Sequence, residues 1–224
     1  MNYILEIANT QLPFPPVDLP KIKRIFDIVV SFILLLLFIP IIIIITTFFF
    51  LEYIFVPSSR GNLFYSETRI SKGKPFKLFK FRIFKDTSSQ DYFAKHGFVQ
   101  TKELEQDPNN LTYLGKILKQ IYLDELPQIY NILKGDMTLV GPRPSNEVVT
   151  WEDGQAKKFQ RYLFVCGLTG PFQAVKDAKN KPEQSQVDME YILFCKNNPG
   201  YKIILKDIRL LAQTVFVILR AKGI

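Results

Sequence analysis

The chain has 224 residues, 47% of them hydrophobic and 14% aromatic, with 29 Lys/Arg against 21 Asp/Glu and a formal net charge of +8. That length buries a sizeable core without covalent staples. Two distant cysteines, Cys166 and Cys195, and one histidine, His96, exclude a disulfide scaffold and a Cys/His zinc site, so both thiols read as reduced and buried.

Residues 1–20, with Pro13, Pro15, Pro16 and Pro20, read as an irregular N-terminal arm without chemistry. Residues 21–56 are the membrane segment. From Ile28 to Leu51 no residue is charged, and a straight helix of that stretch measures about 36 Å against a hydrocarbon core of roughly 30 Å. Pro40 sits at its centre, where it removes a backbone hydrogen bond and bends a helix. Both flanks are basic, with Lys21, Lys23 and Arg24 before it and Arg60, Arg69, Lys72 and Lys74 after it, so the positive-inside rule places both ends in the cytoplasm. A re-entrant helix-break-helix hairpin satisfies the proline and the charge symmetry together. A kinked spanning helix stays open beside it, because membrane helices tolerate proline.

Residues 57–224 follow as the expected cytoplasmic catalytic domain. Residues 60–85 carry Arg60, Arg69, Lys72, Lys74, Lys77, Lys80, Arg82 and Lys85 against Glu67 alone, a block that faces anions or water. Within it, residues 62–70 and 76–82 read as two strands joined by Ser71-Lys72-Gly73-Lys74-Pro75, a β-hairpin with a basic tip. Residues 85–105 are polar and weakly periodic, as in a mobile loop or lid. Asp107-Pro108 can start a helix whose apolar stripe, Leu111, Leu114, Leu118 and Ile121, packs on a core.

Leu123-Asp124-Glu125-Leu126-Pro127-Gln128 then sets two adjacent carboxylates before the helical pattern Leu126, Ile129, Tyr130, Leu133, which Gly135 stops. Asp124 is expected to cap that helix. A carboxylate there is kept ionised by backbone N–H groups and the positive helix end, features that also attract phosphate. Gly141-Pro142-Arg143-Pro144 follows, in which two prolines hold the backbone so that Arg143 can grip a phosphate with little entropy lost. Trp151 reads equally as an interfacial anchor and a core residue. Near the C-terminus Ile204, Ile208, Leu211, Val215 and Ile218 line one helix face and Lys202, Lys206, Arg209, Gln213 and Arg220 much of the other. That helix suits a bilayer surface or a packed core equally.

These motifs, in this order, resemble the bacterial sugar transferases that start glycan assembly on polyprenyl phosphate, the small monotopic phosphoglycosyl transferases. The matching pieces are Lys23-Arg24-Ile25-Phe26-Asp27, Arg69 to Phe76 with Lys80-Phe81-Arg82, Asp107-Pro108, Leu114-Gly115-Lys116, Leu123 to Gln128, Gly135-Asp136-Met137, Gly141 to Pro144, and Gly167-Leu168-Thr169-Gly170. With no large membrane domain before residue 21, the chain looks like the catalytic-core-only form. The resemblance implies an α+β, mostly helical fold: a re-entrant membrane hairpin, a cytoplasmic catalytic domain with a small β-hairpin, and amphipathic surface helices, the C-terminal one interfacial. The location it implies is the cytoplasmic face of the bacterial inner membrane.

The implied enzyme moves a sugar-1-phosphate from a UDP-sugar to undecaprenyl phosphate and releases UMP. That is the first membrane step of making a capsule, exopolysaccharide, O-antigen or glycoprotein glycan. Asp124 is the implied nucleophile, forming a covalent phosphosugar intermediate. Glu125 assists as a first-turn charge, a Mg²⁺ ligand or a proton-handling group. Mg²⁺ is the implied cofactor, held by Asp124 and Glu125, and Arg143, Arg82, Lys80, Arg69 and Lys119 are the candidates for substrate phosphates. For Arg69, Lys80 and Arg82 a solvated face or lipid headgroups are equal alternatives. The expected partners are the two substrates and the bilayer, not nucleic acid, and a homodimer is allowed for. Three positions depart from the family pattern: Lys119 where an arginine is usual, Ile83-Phe84 where Ser-Met is common, and Cys166 where a proline often precedes the glycine. The rival from another class is a non-catalytic scaffold that binds anionic lipids through residues 60–85.

Overall fold

The computed structural model describes residues 14–96, 101–146, 159–175 and 183–220. The elements are α1 (Lys21–Phe55), β1 (Phe64–Ser71), β2 (Lys74–Phe81), α2 (Asp86–His96), α3 (Thr101–Leu104), α4 (Tyr113–Gln120), α5 (Gln128–Lys134), β3 (Thr138–Val140), β4 (Ser145–Asn146), α6 (Gln160–Leu163), β5 (Gly167–Thr169), α7 (Pro171–Ala174), α8 (Gln184–Asn197) and α9 (Gly200–Arg220). Short 3-10 turns occupy Pro57–Ser59, Pro108–Asn110 and Leu123–Glu125. The α+β, mostly helical class is as expected. Strands β2, β1 and β4 form one sheet in that order, and β3 pairs parallel with β5 in another. Trp151 lies outside the described residues, as do the side chain of His96 and most of the N-terminal arm.

Several expectations are corrected. Residues 21–55 form one α-helix with Pro40 inside it, so Pro40 is a point where this helix can bend and not the end of one helix and the start of another. Residues 85–105 are largely helical, as α2 and α3, instead of a loop. Asp107 caps only a 3-10 turn, its carboxylate accepting from the Asn109 N–H. The helix proper starts after Thr112, whose Oγ1 accepts the Gly115 N–H at 2.8 Å. Asp124 lies inside the 3-10 turn, four residues before α5, so it is not that helix's N-cap.

The chain divides into two units, each discontinuous in sequence: residues 1–33, 67–78 and 128–222, and residues 34–66, 79–127 and 223–224. In the first, the β1–β2 turn is Lys72-Gly73, with φ of +47° and +72°, the primed geometry that matches strand twist. Its basic tip is docked, since the Lys72 and Gly73 N–H groups donate to Phe164 O and Arg161 O and the Lys72 ammonium pairs with Asp18. Leu139, Val140, Leu163, Phe164, Tyr191, Ile192 and Ile203 are buried here. The Lys23-Arg24-x-x-Asp27 motif fixes the head of α1 within this unit. Lys23 is fully buried between Asp27 and Asp207, the latter at 2.7 Å, and Asp27 accepts from Thr138 Oγ1 at 2.6 Å. Arg24 donates to the carbonyls of Ile132 and Leu133 in the last turn of α5, where the Ile132 carbonyl also accepts the Gly135 N–H.

The second unit holds the later part of α1. Ile45 joins Phe81, Ile83, Phe84, Leu104, Leu111, Leu114 and Leu118 in one core, with Ile41, Ile42, Phe49, Leu123 and Leu126 packed on it. The Glu52 carboxylate accepts the Tyr113 and Leu114 N–H groups at 2.7 and 3.0 Å, fastening the start of α4 to α1. Of the stripe expected to be core, Leu111, Leu114 and Leu118 are buried but Ile121 is exposed.

Candidate active site

The carboxylate pair sits on the turn Leu123–Glu125 in the second unit, entered through Tyr122 with φ +56° and ψ +20°. A non-glycine residue in the left-handed region costs of order 1–3 kcal/mol and persists where surrounding packing over-determines it. Leu123 and Leu126 supply that packing on either side of the pair. Asp124 is buried, and the Glu125 carboxylate lies 3.6 Å from the Lys80 ammonium, both side chains mostly shielded. The strand β2 and the turn thus bring one cation to the acidic pair.

The other cations are engaged elsewhere. Buried Arg82 donates from Nε to Asn62 O, from Nη1 to Phe84 O and from Nη2 to Ser59 O at 2.5–2.7 Å. Burial lowers its pKa, with Asp86 and Glu52 acting the other way. Its geometry is that of a brace for the chain around β2. Lys119 donates to Glu105 O at 2.9 Å, with the Glu105 carboxylate at 3.8 Å.

In the first unit Arg69 pairs with Glu67 at 2.6 Å. Arg143 lies on the loop after β3, and the backbone of that loop is held at three successive residues. Gly141 N–H donates to Thr169 O, Pro142 O accepts from Gly167 N–H, and Arg143 O accepts from Arg161 Nε at 2.8 Å. The sequence reading did not find Arg161. It is buried, and so is Asp188, whose carboxyl is pushed up to about 6 by burial, with Arg161 and Gln184 acting in the opposite direction. Cys166 and Cys195 are free and buried, and burial pushes both thiols up to about 12, which leaves them unreactive. The Cys166 N–H donates to Ser71 Oγ at 3.0 Å, a bond that a proline at this position could not make.

Among the described residues no group of three or more His, Cys, Asp or Glu gathers as a metal cage. Mg²⁺ does not require one, because it keeps waters and substrate phosphates and is held by one or two carboxylates. The hard oxygen donors of Asp124 and Glu125 fit that mode.

The chain matches the family model described as bacterial sugar transferase over residues 19–221, and it belongs to that family. It is similar to the UDP-N-acetylgalactosamine-undecaprenyl-phosphate N-acetylgalactosaminephosphotransferase of Aeromonas hydrophila, 28% identical over 170 residues, 74% of this chain and 37% of the relative. It is 30% identical over 219 residues to the undecaprenyl-phosphate galactose phosphotransferase of Salmonella typhimurium, 90% of this chain and 41% of the relative. An uncharacterized sugar transferase of Bacillus subtilis, EpsL, is 31% identical over 155 residues, 68% of this chain and 67% of the relative. The chain therefore spans less than half the length of the first two relatives.

Proposed function

We propose that this chain transfers a sugar-1-phosphate from a UDP-sugar to polyprenyl phosphate through a covalent intermediate on Asp124. The observation that carries the proposal is the turn Leu123–Glu125. It presents a shielded carboxylate pair with Lys80 beside Glu125, in a chain whose relatives bear the names of undecaprenyl-phosphate sugar phosphotransferases. An Asp124 oxygen attacks the β-phosphorus of the donor. The bond from that phosphorus to the bridging oxygen breaks, and UMP leaves with the electron pair. A polyprenyl phosphate oxygen then attacks the same phosphorus, and the bond to Asp124 breaks, restoring the carboxylate and giving a polyprenyl diphosphate sugar.

A carboxylate is a poor nucleophile toward an anionic phosphate until cations offset the repulsion. Lys80 supplies one positive charge at the pair, and Mg²⁺ held by Asp124 and Glu125 would polarise the phosphoryl oxygens. Arg143 keeps the phosphate-binding role that the family resemblance implies, its loop pre-set by the three backbone hydrogen bonds. Arg82 is left out of substrate binding, since it is buried, three of its five N–H donors hold backbone carbonyls, and Nη1 also lies 3.6 Å from the Asp86 carboxylate.

Helix α1 is long and apolar enough to cross a membrane and is mostly exposed along its apolar stretch. We propose that it re-enters instead of spanning. Connectivity supports this reading. The tail of α1 is fastened at Tyr113 and Leu114, its head at Ile132 and Leu133, and no apolar span lies in the short stretch between those two attachments. Both ends then belong on one side, and the basic flanks make that side cytoplasmic.

The test is intact-protein mass spectrometry of the detergent-purified chain mixed with Mg²⁺ and a panel of UDP-sugars, without polyprenyl phosphate, beside Asp124→Asn. The expected result is a sugar-phosphate mass gain on the wild type alone. Release of UMP with polyprenyl phosphate but equal rates in Asp124→Asn would eliminate the aspartyl intermediate.

A further inference from the structure

Of the three hydrogen bonds that hold the loop Gly141 to Arg143, two join main chain to main chain, and the third comes from a side chain, Arg161 Nε to Arg143 O at 2.8 Å. The main-chain pair fixes Gly141 and Pro142. Those backbones meet closely, since a Cβ on Gly167 would stand 2.1 Å from Gly141 N. Arg143 itself is reached by Arg161.

Arg161 lies on α6, a helix of four residues that its own hydrogen bonds would not sustain. Other elements hold it from both ends. The Gln160 amide donates to Ser185 O in the first turn of α8, and the Lys72 and Gly73 N–H groups of the hairpin tip donate to Phe164 O and Arg161 O. The β1–β2 tip thus serves α6, where its basic sequence pointed to anions. The Arg161 guanidinium is buried, which is costly for a cation without a counter-charge. Asp188, one turn into α8 and 1% exposed, favours the charged form of Arg161. Its Oδ1 has no hydrogen-bond partner among the described residues, so that oxygen acts through its charge. Arg69, a like charge acting on the same guanidinium, is itself paired with Glu67 at 2.6 Å.

The contact requires arginine. Its Nε–H lies in the plane of a rigid group and points in one direction, whereas a lysine has a methylene at that atom and its ammonium one bond farther out. We propose that Arg161 is a positioning residue for donor binding: by holding the Arg143 carbonyl against α6, with Asp188 as its counter-charge, it aims the Arg143 guanidinium at the donor diphosphate. This rests on the phosphate-binding role proposed above for Arg143 and deepens it. A loop ordered in advance spares the entropy of ordering it when the donor arrives.

The test measures UDP binding by titration calorimetry, with Mg²⁺, on the full chain in detergent. Arg143→Ala should weaken UDP about a hundredfold and Arg161→Lys about tenfold, the range for charge-assisted hydrogen bonds lost directly or through a loosened loop. Arg161→Lys keeps the charge that faces Asp188, so its thermal midpoint should stay near that of the wild type. The combination decides. Added to Arg143→Ala, Arg161→Lys should weaken UDP no further, because a residue that acts through Arg143 then has nothing to aim. Its loss repeated in full in that background, or no loss in Arg161→Lys alone, would overturn the inference. If Arg161→Lys folds poorly, Arg161→Gln joined with Asp188→Asn removes both buried charges together and should give the same pattern. Wild type that binds no UDP, or binding that ignores Arg143→Ala, would strike down the phosphate role of Arg143 and this inference with it. The expected UDP pattern without a sugar-phosphate adduct on Asp124 would remove the covalent step alone.

Discussion

Asp188 and Asp124 are both buried aspartates, yet the sequence disclosed only one of them. Asp124 stands in a dense local pattern of carboxylates, proline and helical spacing. Asp188 and its neighbour Arg161 lie 27 positions apart, and nothing in either segment names the other. Their relation has a measurable consequence. Burial lifts the Asp188 carboxyl from 3.8 to about 6, so between about pH 4 and pH 6 the folded chain holds a proton that the unfolded chain has released. Stability from this group is therefore greatest at the acid end and falls as pH rises through that window, by about 3 kcal/mol. Denaturant titrations of wild type and Asp188→Asn at pH 4 and pH 7 should show the difference moving toward the variant by about that amount. A pH-independent difference would mean that the carboxyl is not protonated in the fold. Arg82 teaches the complementary lesson. Its place in a basic run suggested phosphate, whereas in the fold its buried guanidinium gives one donor to each of three nearby carbonyls.

At the scale of elements, amphipathic patterns gave the helices more reliably than they gave the buried sides. In α9 the expected apolar face includes Ile208, Val215 and Ile218, all exposed, while the packed side carries Ile203, Asp207 and Leu210. A carboxylate among apolar positions was the available signal, and periodicity alone ranks it against burial. Helix α4 likewise has an outward apolar stripe that one-sided periodicity assigns to a core. Its inward side is held closely: a Cβ at Gly115 would stand 2.2 Å from the backbone oxygen of Ile83. Alanine is normally the better helix former by about 1 kcal/mol, but here a main-chain oxygen would have to move. Gly115→Ala should therefore lose about 1–3 kcal/mol, read as a lower thermal midpoint in detergent. An unchanged or raised midpoint would show that α4 can slide away from Ile83.

For the molecule as a whole, class and family motifs were legible because each is local. The grouping of the chain into two discontinuous units was not, since it depends on which distant segments meet. The strongest such meeting is Lys23 with Asp27 and Asp207, accompanied by Tyr191, whose hydroxyl donates to Asp207 at 2.6 Å. Removing one partner from a fully buried charge group typically costs about 3–5 kcal/mol. Lys23→Met should accordingly lower the thermal midpoint steeply and expose the head of α1 to limited proteolysis. Wild-type resistance would mean that the two carboxylates share a proton without the ammonium. The same contact also imposes an order on biogenesis. Lys23 leaves the ribosome 184 residues ahead of Asp207, so the head of α1 must wait for its second carboxylate while α2 to α8 are made. Until then Lys23 and Asp27 keep access to water, and they become sealed only when α9 packs against them.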